Sequence, residues 1–289
     1  MTLLRTQNPA EFLDVAGAFL EAHPRRNNVI LVTAATAIES NFNDTEYYVL
    51  SRNGEVIAAA MDSPHYHISL AAAADSDVRE LAKEIAHKNT NVPGVMGLED
   101  LAAAFAGTWT EATGQEARRA MPLYLYSLED VLEPARRPEG TGRRASQSDR
   151  DVVLPWFSAF ARDAGLSAQQ AAGAEKGASR LLDAGTVFLW EEGGEPKAMT
   201  AFTNVNAAIG RINAVYVPAH LRGSGYAGAC VRYVCRYLRT DRGCRFVSCS
   251  PTSKIPRLTD SVGASDLPNP TDFKCTTSRR RPSRLRDRR

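Results

Sequence analysis

Apolar positions along the chain follow two rhythms, one helical and one extended, and the order in which they alternate occurs twice. Phe12, Leu13, Ala16, Phe19 and Leu20 return at intervals of three and four residues, which marks one face of a helix. Asn8 stands at the cap position, Pro9 suits the first helical position, and Glu11 can reach back to complete a capping box. A second helical stretch covers about 27–40. Glu46–Ser51 and Glu55–Met61 read as strands around Asn53-Gly54, a strong hairpin signal. His67–Ala71 reads as a third strand, 76–89 and 97–107 as helices, and Met121–Tyr126 as a further strand.

Residues 129–148 are rich in Pro, Gly and charge and poor in apolar side chains, the signature of a linker. Beyond them the order recurs. Val152, Val153, Trp156, Phe157 and Phe160 mark a helix, and Ser167 can cap a second running to about Asp183. Thr186–Glu191 and Lys197–Thr203 are strands joined through Gly193-Gly194, Gly210–Val217 is a third, and a helix follows over about Gly225–Arg239. This predicts an α+β (mixed α/β) chain of two domains of related design, each a mostly antiparallel sheet flanked by helices. The expected boundaries are 1–128, a linker at 129–148, a second domain at 149–249 that is incomplete at its C-terminus, and a basic tail at 250–289.

Composition narrows the function classes. The 289 residues are 44% apolar and 24% charged, an ordinary globular balance. No run approaches the roughly 18 apolar residues of a membrane span, and no basic segment followed by an apolar run opens the chain, so membrane and classically secreted proteins are excluded. The net charge of +2 is misleading, because residues 250–289 hold ten Lys/Arg against four Asp and leave the rest acidic by four charges. A mildly acidic body is no nucleic-acid binder by composition. All five cysteines lie at or beyond Cys230, without a Cys-x-x-Cys pair or a nearby His. That argues against a disulfide framework or a metal site and points to a reducing cytoplasm.

The informative run is Arg211 to Ala227, where a strand feeds Arg222-Gly223-Ser224-Gly225 and that loop opens a helix. The first amides of a helix have no intrahelical partner, and the dipole places partial positive charge there. Gly223 and Gly225 let an anion approach the backbone, and Arg222 adds a charge that no neighbour in sequence neutralises. A Gly-x-Gly pair alone also fits a tight strand-to-helix turn.

Taken whole, the run resembles the coenzyme A-binding segment of the GNAT superfamily of N-acetyltransferases. Members show Gln or Arg, two residues, Gly, one residue, then Gly or Ala, directly after a central strand; His220, Gly223 and Gly225 take those places here. His220 departs from Gln/Arg, which touches the side-chain role more than the backbone one. The resemblance covers about 150–249 and implies acetyl-CoA as co-substrate and an amine as acceptor, attacked directly without an acyl-enzyme. Val215, Tyr216 and Val217 would pair with the pantetheine arm, and Arg222, Gly223, Ser224, Gly225, Tyr226 and Ala227 would hold the pyrophosphate. The resemblance carries over no catalytic residue and no metal. The family's Tyr that protonates the departing thiolate has no counterpart, so a non-catalytic acyl-CoA-binding or interaction protein is the alternative. Nucleic-acid association through the terminal arginines ranks last. The helix after the first domain's third strand is entered through Ala71–Ala74 and Asp75-Ser76-Asp77. With no glycine and two acidic residues that could cap the helix, that domain reads as a degenerate GNAT-like domain that has lost the cofactor site.

Residues 250–289 show no amphipathic period and read either as a disordered basic tail or as a reading-frame slip. Shifted by two bases, the codons from Ser248 to Leu258 can encode Leu-Phe-Thr-Asp-Leu-x-Asn-Pro-Thr-Ser, which looks like the end of this family. Under the slip reading, the helix face around Cys230, Val231 and Val234 loses part of its cover, and activity in this form stays open.

Several side chains also have plain structural readings. His65 and His67 share a strand face without a third ligand, and Cys230 and Cys235 suit core packing. Glu191 and Glu192 sit at a hairpin turn, open to a general-base role or simply solvated. Phe202 and Asn204 are placed by fold analogy near the acceptor.

Overall fold

The computed structural model describes residues 1–40, 44–63, 67–88, 92–124, 126–128, 137–165, 168–205, 209–249 and 272–279. Two compact units divide the chain: Met1–Leu123 with Thr271–Arg289, and Tyr124–Pro270.

In the first unit the elements are β1 (Thr2–Thr6), α1 (Pro9–Glu21), α2 (Asn28–Ser40), β2 (Glu46–Arg52), β3 (Glu55–Asp62), β4 (Ile68–Ala72), α3 (Asp75–Lys88), β5 (Val95–Leu98), α4 (Glu99–Thr113) and β6 (Glu116–Tyr124). Its sheet runs β1-β2-β3-β4-β5, then the strand Asp272–Arg279 from the end of the chain, then β6. Asn8 caps α1 as the sequence predicts, its Oδ1 accepting from the amides of Ala10 and Glu11 at 3.0 and 3.3 Å. The capping box is not closed by Glu11. Thr6 Oγ1 accepts from the Asn8 amide at 3.0 Å and donates onward to Glu11, so a hydroxyl relays the contact. Asn53 and Gly54 take positive φ of 53° and 85°, as a two-residue hairpin turn requires. The predicted helix at 97–107 begins instead at Glu99, and Val95–Leu98 is β5. Gly97 explains this: a Cβ there would stand 3.2 Å from Leu70 Cβ, so the backbone lies close against β4.

The second unit contains β7 (Tyr126–Leu128), β8 (Thr141–Arg144), α5 (Arg150–Asp163), α6 (Ala168–Asp183), β9 (Val187–Glu192), β10 (Glu195–Val205), β11 (Ile209–Tyr216), α7 (Tyr226–Thr240) and β12 (Phe246–Cys249). Its sheet order is β7-β12-β11-β10-β9-β8. Every pairing is antiparallel except β11 with β12. Ser167, the expected cap of α6, lies outside the described residues, as do 250–271 and 280–289 of the expected tail; 272–279 form the last strand, β13.

The expected linker is part of this unit from about residue 139 onward. Trp190 Nε1 donates to the Glu139 carbonyl at 3.0 Å, and β8 pairs with β9 over Thr141–Arg144. At Gly142 a Cβ would meet the Tyr233 ring at 2.3 Å, so only glycine lets β8 approach α7. Arg143 donates to both oxygens of Asp149 at 2.7 Å and to Glu191 at 2.5 Å. The glycines and arginines that imitate a linker are there for close approach and ion pairing.

Two apolar layers clamp the sheet. Val231, Val234, Cys235 and Leu238 of α7 pack on Phe188, Phe202, Ile212 and Val247. On the other face, Val153 and Phe157 of α5 and Ala178 and Leu182 of α6 pack on Val187, Leu189, Met199 and Ala214. Cys230, Val231 and Val234 are 0, 3 and 0% exposed, so the α7 face expected to lose cover is closed by the sheet.

Because Asp149 is partly buried against the Arg143 guanidinium, its carboxyl is held well below the usual carboxylate range. Arg143→Ala should cost about 2 kcal/mol at pH 7, less than a fully buried pair because Arg143 is 36% exposed. The lowered folded-state pKa means that this contribution is complete above pH ~4 and fades as the pH falls toward the folded value. Urea midpoints of both proteins should therefore differ at pH 7 and converge in strong acid.

Candidate functional site

β11 and β12 begin as a regular parallel pair, with Ile209 opposite Phe246 and Ile212 opposite Cys249. After these four rungs the described residues offer β11 no partner on that side, and Asn213–Tyr216 present a free edge. A bulge follows the last described rung. On the β10 side Ala201 pairs with Ala214 and Phe202 with Ile212, leaving Asn213 as the extra residue. A bulge sharpens strand twist and bends the chain. Asn213 is exposed into the opening.

The opening is a cavity of about 530 Å³, within the range of small-molecule sites. β11 forms one wall, the end of α5 (Phe160, Asp163) another, and the loop entering α7 closes one end. Val215 packs toward α7, Tyr216 lies 5.7 Å from the Trp156 ring, and Val217 is buried beside Trp190 and Cys230. Gly223, Gly225, Tyr226 and Ala227 line the loop end, whereas Ser224 is exposed and lies off the cavity wall. Eight of the nine residues expected at a cofactor site thus share one cavity.

Local geometry at the loop follows from its glycines. Gly223 and Gly225 have φ of +84° and +88°, values that favour residues without a Cβ. Gly225 caps α7 without a side-chain acceptor, and the first intrahelical bond there is from the Ala229 amide to the Gly225 carbonyl at 3.0 Å. The helix therefore begins with outward amides and the positive end of its dipole.

Arg222 departs from expectation. Its Nη2 donates to Asp163 Oδ2 at 2.5 Å and its Nε to the Val217 carbonyl at 3.1 Å. Asp163 is remote in sequence, so the pair was invisible there. Both side chains are half exposed, 52% and 50%, and such a pair is worth at most about 1 kcal/mol. A multiply charged anion can compete for that guanidinium.

Other expected roles resolve as follows. Phe202 is fully buried against α7 and does not face the cavity, and the Asn204 side chain lies outside the described residues. Glu191 is held by Arg143, and Glu192 accepts from the Tyr226 hydroxyl, so neither is a solvated turn residue. His220 is exposed in a helical turn at Ala219–Leu221. His65 lies outside the described residues, and burial pushes the His67 pKa down. No cluster of three metal-binding side chains occurs among the described residues. Nor does any described helix have the length and apolarity to cross a membrane.

Sequence reasoning missed Asn213 and Arg211. Nη1 of Arg211 is buried without a hydrogen-bond partner, and the residue lines the cavity. Its place in a strand of apolar neighbours is the only sign the sequence offered.

Comparison with known proteins agrees with this geometry. Residues 153–254 match the family model described as acetyltransferase (GNAT) family. The whole chain superposes on a GNAT-family acetyltransferase from Colwellia psychrerythraea with a TM-score of 0.58 at 11% identity, covering 97% of this chain and 100% of that one. A GCN5-related N-acetyltransferase from Sphaerobacter thermophilus gives 0.56 at 17% identity, covering 96% and 95%. A tandem GNAT protein from the clavulanic acid biosynthesis pathway gives 0.53 at 13% identity, covering 96% and 98%. At these identities the likeness is one of fold, and it extends over both units. A search of curated proteins finds none that matches the chain.

Burial pushes the thiols of Cys230 and Cys235 up to about 12. Both should resist iodoacetamide in the native protein at pH 8 and react fully once it is unfolded, as peptide mass mapping would detect. Labelling of either at native pH would place it outside the core.

Proposed function

We propose that the second unit binds acetyl-CoA in the cavity between β11 and β12 and transfers its acetyl group to a primary amine by direct attack. The observation that carries this reading is the coincidence of a strand edge without a partner among the described residues and an uncapped helix N-terminus at one end of the same cavity. An edge of unpaired amides and carbonyls suits the two amides of a pantetheine arm, which can complete the interrupted ladder. Amides at the start of α7 suit a diphosphate. Val215, Tyr216 and Val217 take the arm, and Arg222, Gly223, Gly225, Tyr226 and Ala227 surround the phosphates, with Ser224 contributing its backbone. An amide of the bulged strand can polarise the thioester carbonyl.

The only carboxylate in the cavity wall among the described residues is Asp163, already paired with Arg222. That favours deprotonation of the amine by water, and it is also the one observation in favour of the second reading, an acyl-CoA-binding protein without turnover.

Calorimetric titration with acetyl-CoA should give a single site. Gly225→Val forces a β-branched residue to positive φ and narrows the approach of a phosphate, so affinity should fall at least roughly tenfold. The melting transition of the first unit should be unchanged. An isotherm indistinguishable from the parent would remove the loop from the cofactor site. Release of free thiol from acetyl-CoA over a panel of amines separates transferase from binder.

A further inference from the structure

The cavity has two unlike ends along β11. Near Val217 lie the glycine loop and an arginine that already has a carboxylate partner. Arg211 stands six residues earlier, about 20 Å away at the rise of an extended strand. Its strand neighbours define its face. A Cβ at Gly210 would meet Leu238 of α7 at 2.8 Å, and Ile212 packs in the α7 cluster. By alternation, Arg211 projects from the opposite face, the one covered by α5 and α6. On that face it lines the cavity beyond the bulge at Asn213, past the stretch assigned to the pantetheine arm.

Arg211 is costly where it stands. Nη1 is buried and lacks a hydrogen-bond partner, and no described carboxylate pairs with the guanidinium. Burial pushes its pKa down, with the Cys249 thiol acting in the opposite direction. A buried cationic donor left unpaired is normally removed or satisfied. Where one persists in a cavity wall, a ligand is the natural source of the missing acceptor.

We infer that Arg211 recognises an oxyanion on the acceptor, so that the substrate class is an amine that also carries a carboxylate or phosphate group. This deepens the acetyl-transfer reading and rests on it. The guanidinium would hold the acid group at the far end of the cavity and leave the amine facing the thioester. The amine nitrogen then forms a bond to the acetyl carbonyl carbon as the carbon–sulfur bond breaks. The proton lost by nitrogen balances the one taken up by the departing thiolate, which leaves an N-acetyl acid and free coenzyme A. Arg211 itself takes no part in the proton transfer and acts as a specificity residue.

The test uses the full chain saturated with coenzyme A and titrated calorimetrically with matched amines: L-phenylalanine against phenethylamine, L-lysine against cadaverine, and O-phosphoethanolamine against ethanolamine. At least one acid-bearing member should bind roughly 100-fold more tightly than its partner, as expected for a charge-assisted bond to a buried donor. Which pair responds distinguishes carboxylate from phosphate. Arg211→Met should abolish that preference while leaving the affinity for acetyl-CoA, measured separately, within twofold. It should also melt no lower than the parent, because it removes an uncompensated charge; a structural arginine would give the opposite shift. Equal binding within every pair, no binding by any acid-bearing amine, or a preference that survives in Arg211→Met would overturn the inference. Failure to bind acetyl-CoA at all would instead strike the reading beneath it.

Discussion

The second unit depends on one stretch of strand: among the described residues the parallel ladder between β11 and β12 carries four rungs, and Asn213–Tyr216 have no described partner on that side. A strand edge inside a domain is normally paired, since unsatisfied amides and carbonyls are expensive. Here the bulge at Asn213 bends β11 just past the last described rung, and the strand that follows gives the cavity a hydrogen-bonding wall. Strand, loop and helix follow one another without a break, so the free edge leads directly to the start of α7. Position in the chain thus brings two kinds of backbone group that lack a partner among the described residues to one opening.

Holding such a cavity open requires rigidity around it. α7 supplies this on one face through Val231, Val234, Cys235 and Leu238, while α5 and α6 load the other. The far edge is pinned by Arg143, shared between Asp149 and Glu191. Charges inside the cavity are arranged unevenly. Arg222 is exposed and partnered, so it can yield to an anion, whereas Arg211 carries a buried Nη1 without an acceptor, so it demands one.

Periodicity made the long elements legible. The α1 stripe, the Asn53-Gly54 hairpin and the run from Gly210 to Arg239 all emerged close to their expected limits. Short elements did not, because composition there reflects tertiary contact. β5 is only four residues long and looked helical beside the Ala-rich α4. β8 looked like linker because its glycine makes room for Tyr233 and its arginine reaches across the sheet. At the site, the glycine loop was readable because its constraint is local: positive φ at two positions. The Asp163–Arg222 pair, the bulge at Asn213 and the orphaned Arg211 were not, since each depends on a partner, or the lack of one, set by the fold.

The first unit separates what the fold supplies from what the loop supplies. Its β4 and β5 are also parallel and also pair briefly, over Ile68 with Val95 and Ser69 with Met96. A short parallel pair is therefore common to both units. The difference comes at the next turn, where Ala71–Ala74 lead into α3 without a glycine. The Ala74 carbonyl takes the amides of Asp77 and Val78, and the buried Asp77 carboxylate is held by Arg52 at 2.9 Å. A diphosphate arriving there would meet side chains where the second unit offers open backbone, and a carboxylate where it needs amides. A parallel pair leading to a helix is shared, but only a loop with glycines at its positive-φ positions and no acidic residue of its own turns the start of that helix into an anion site.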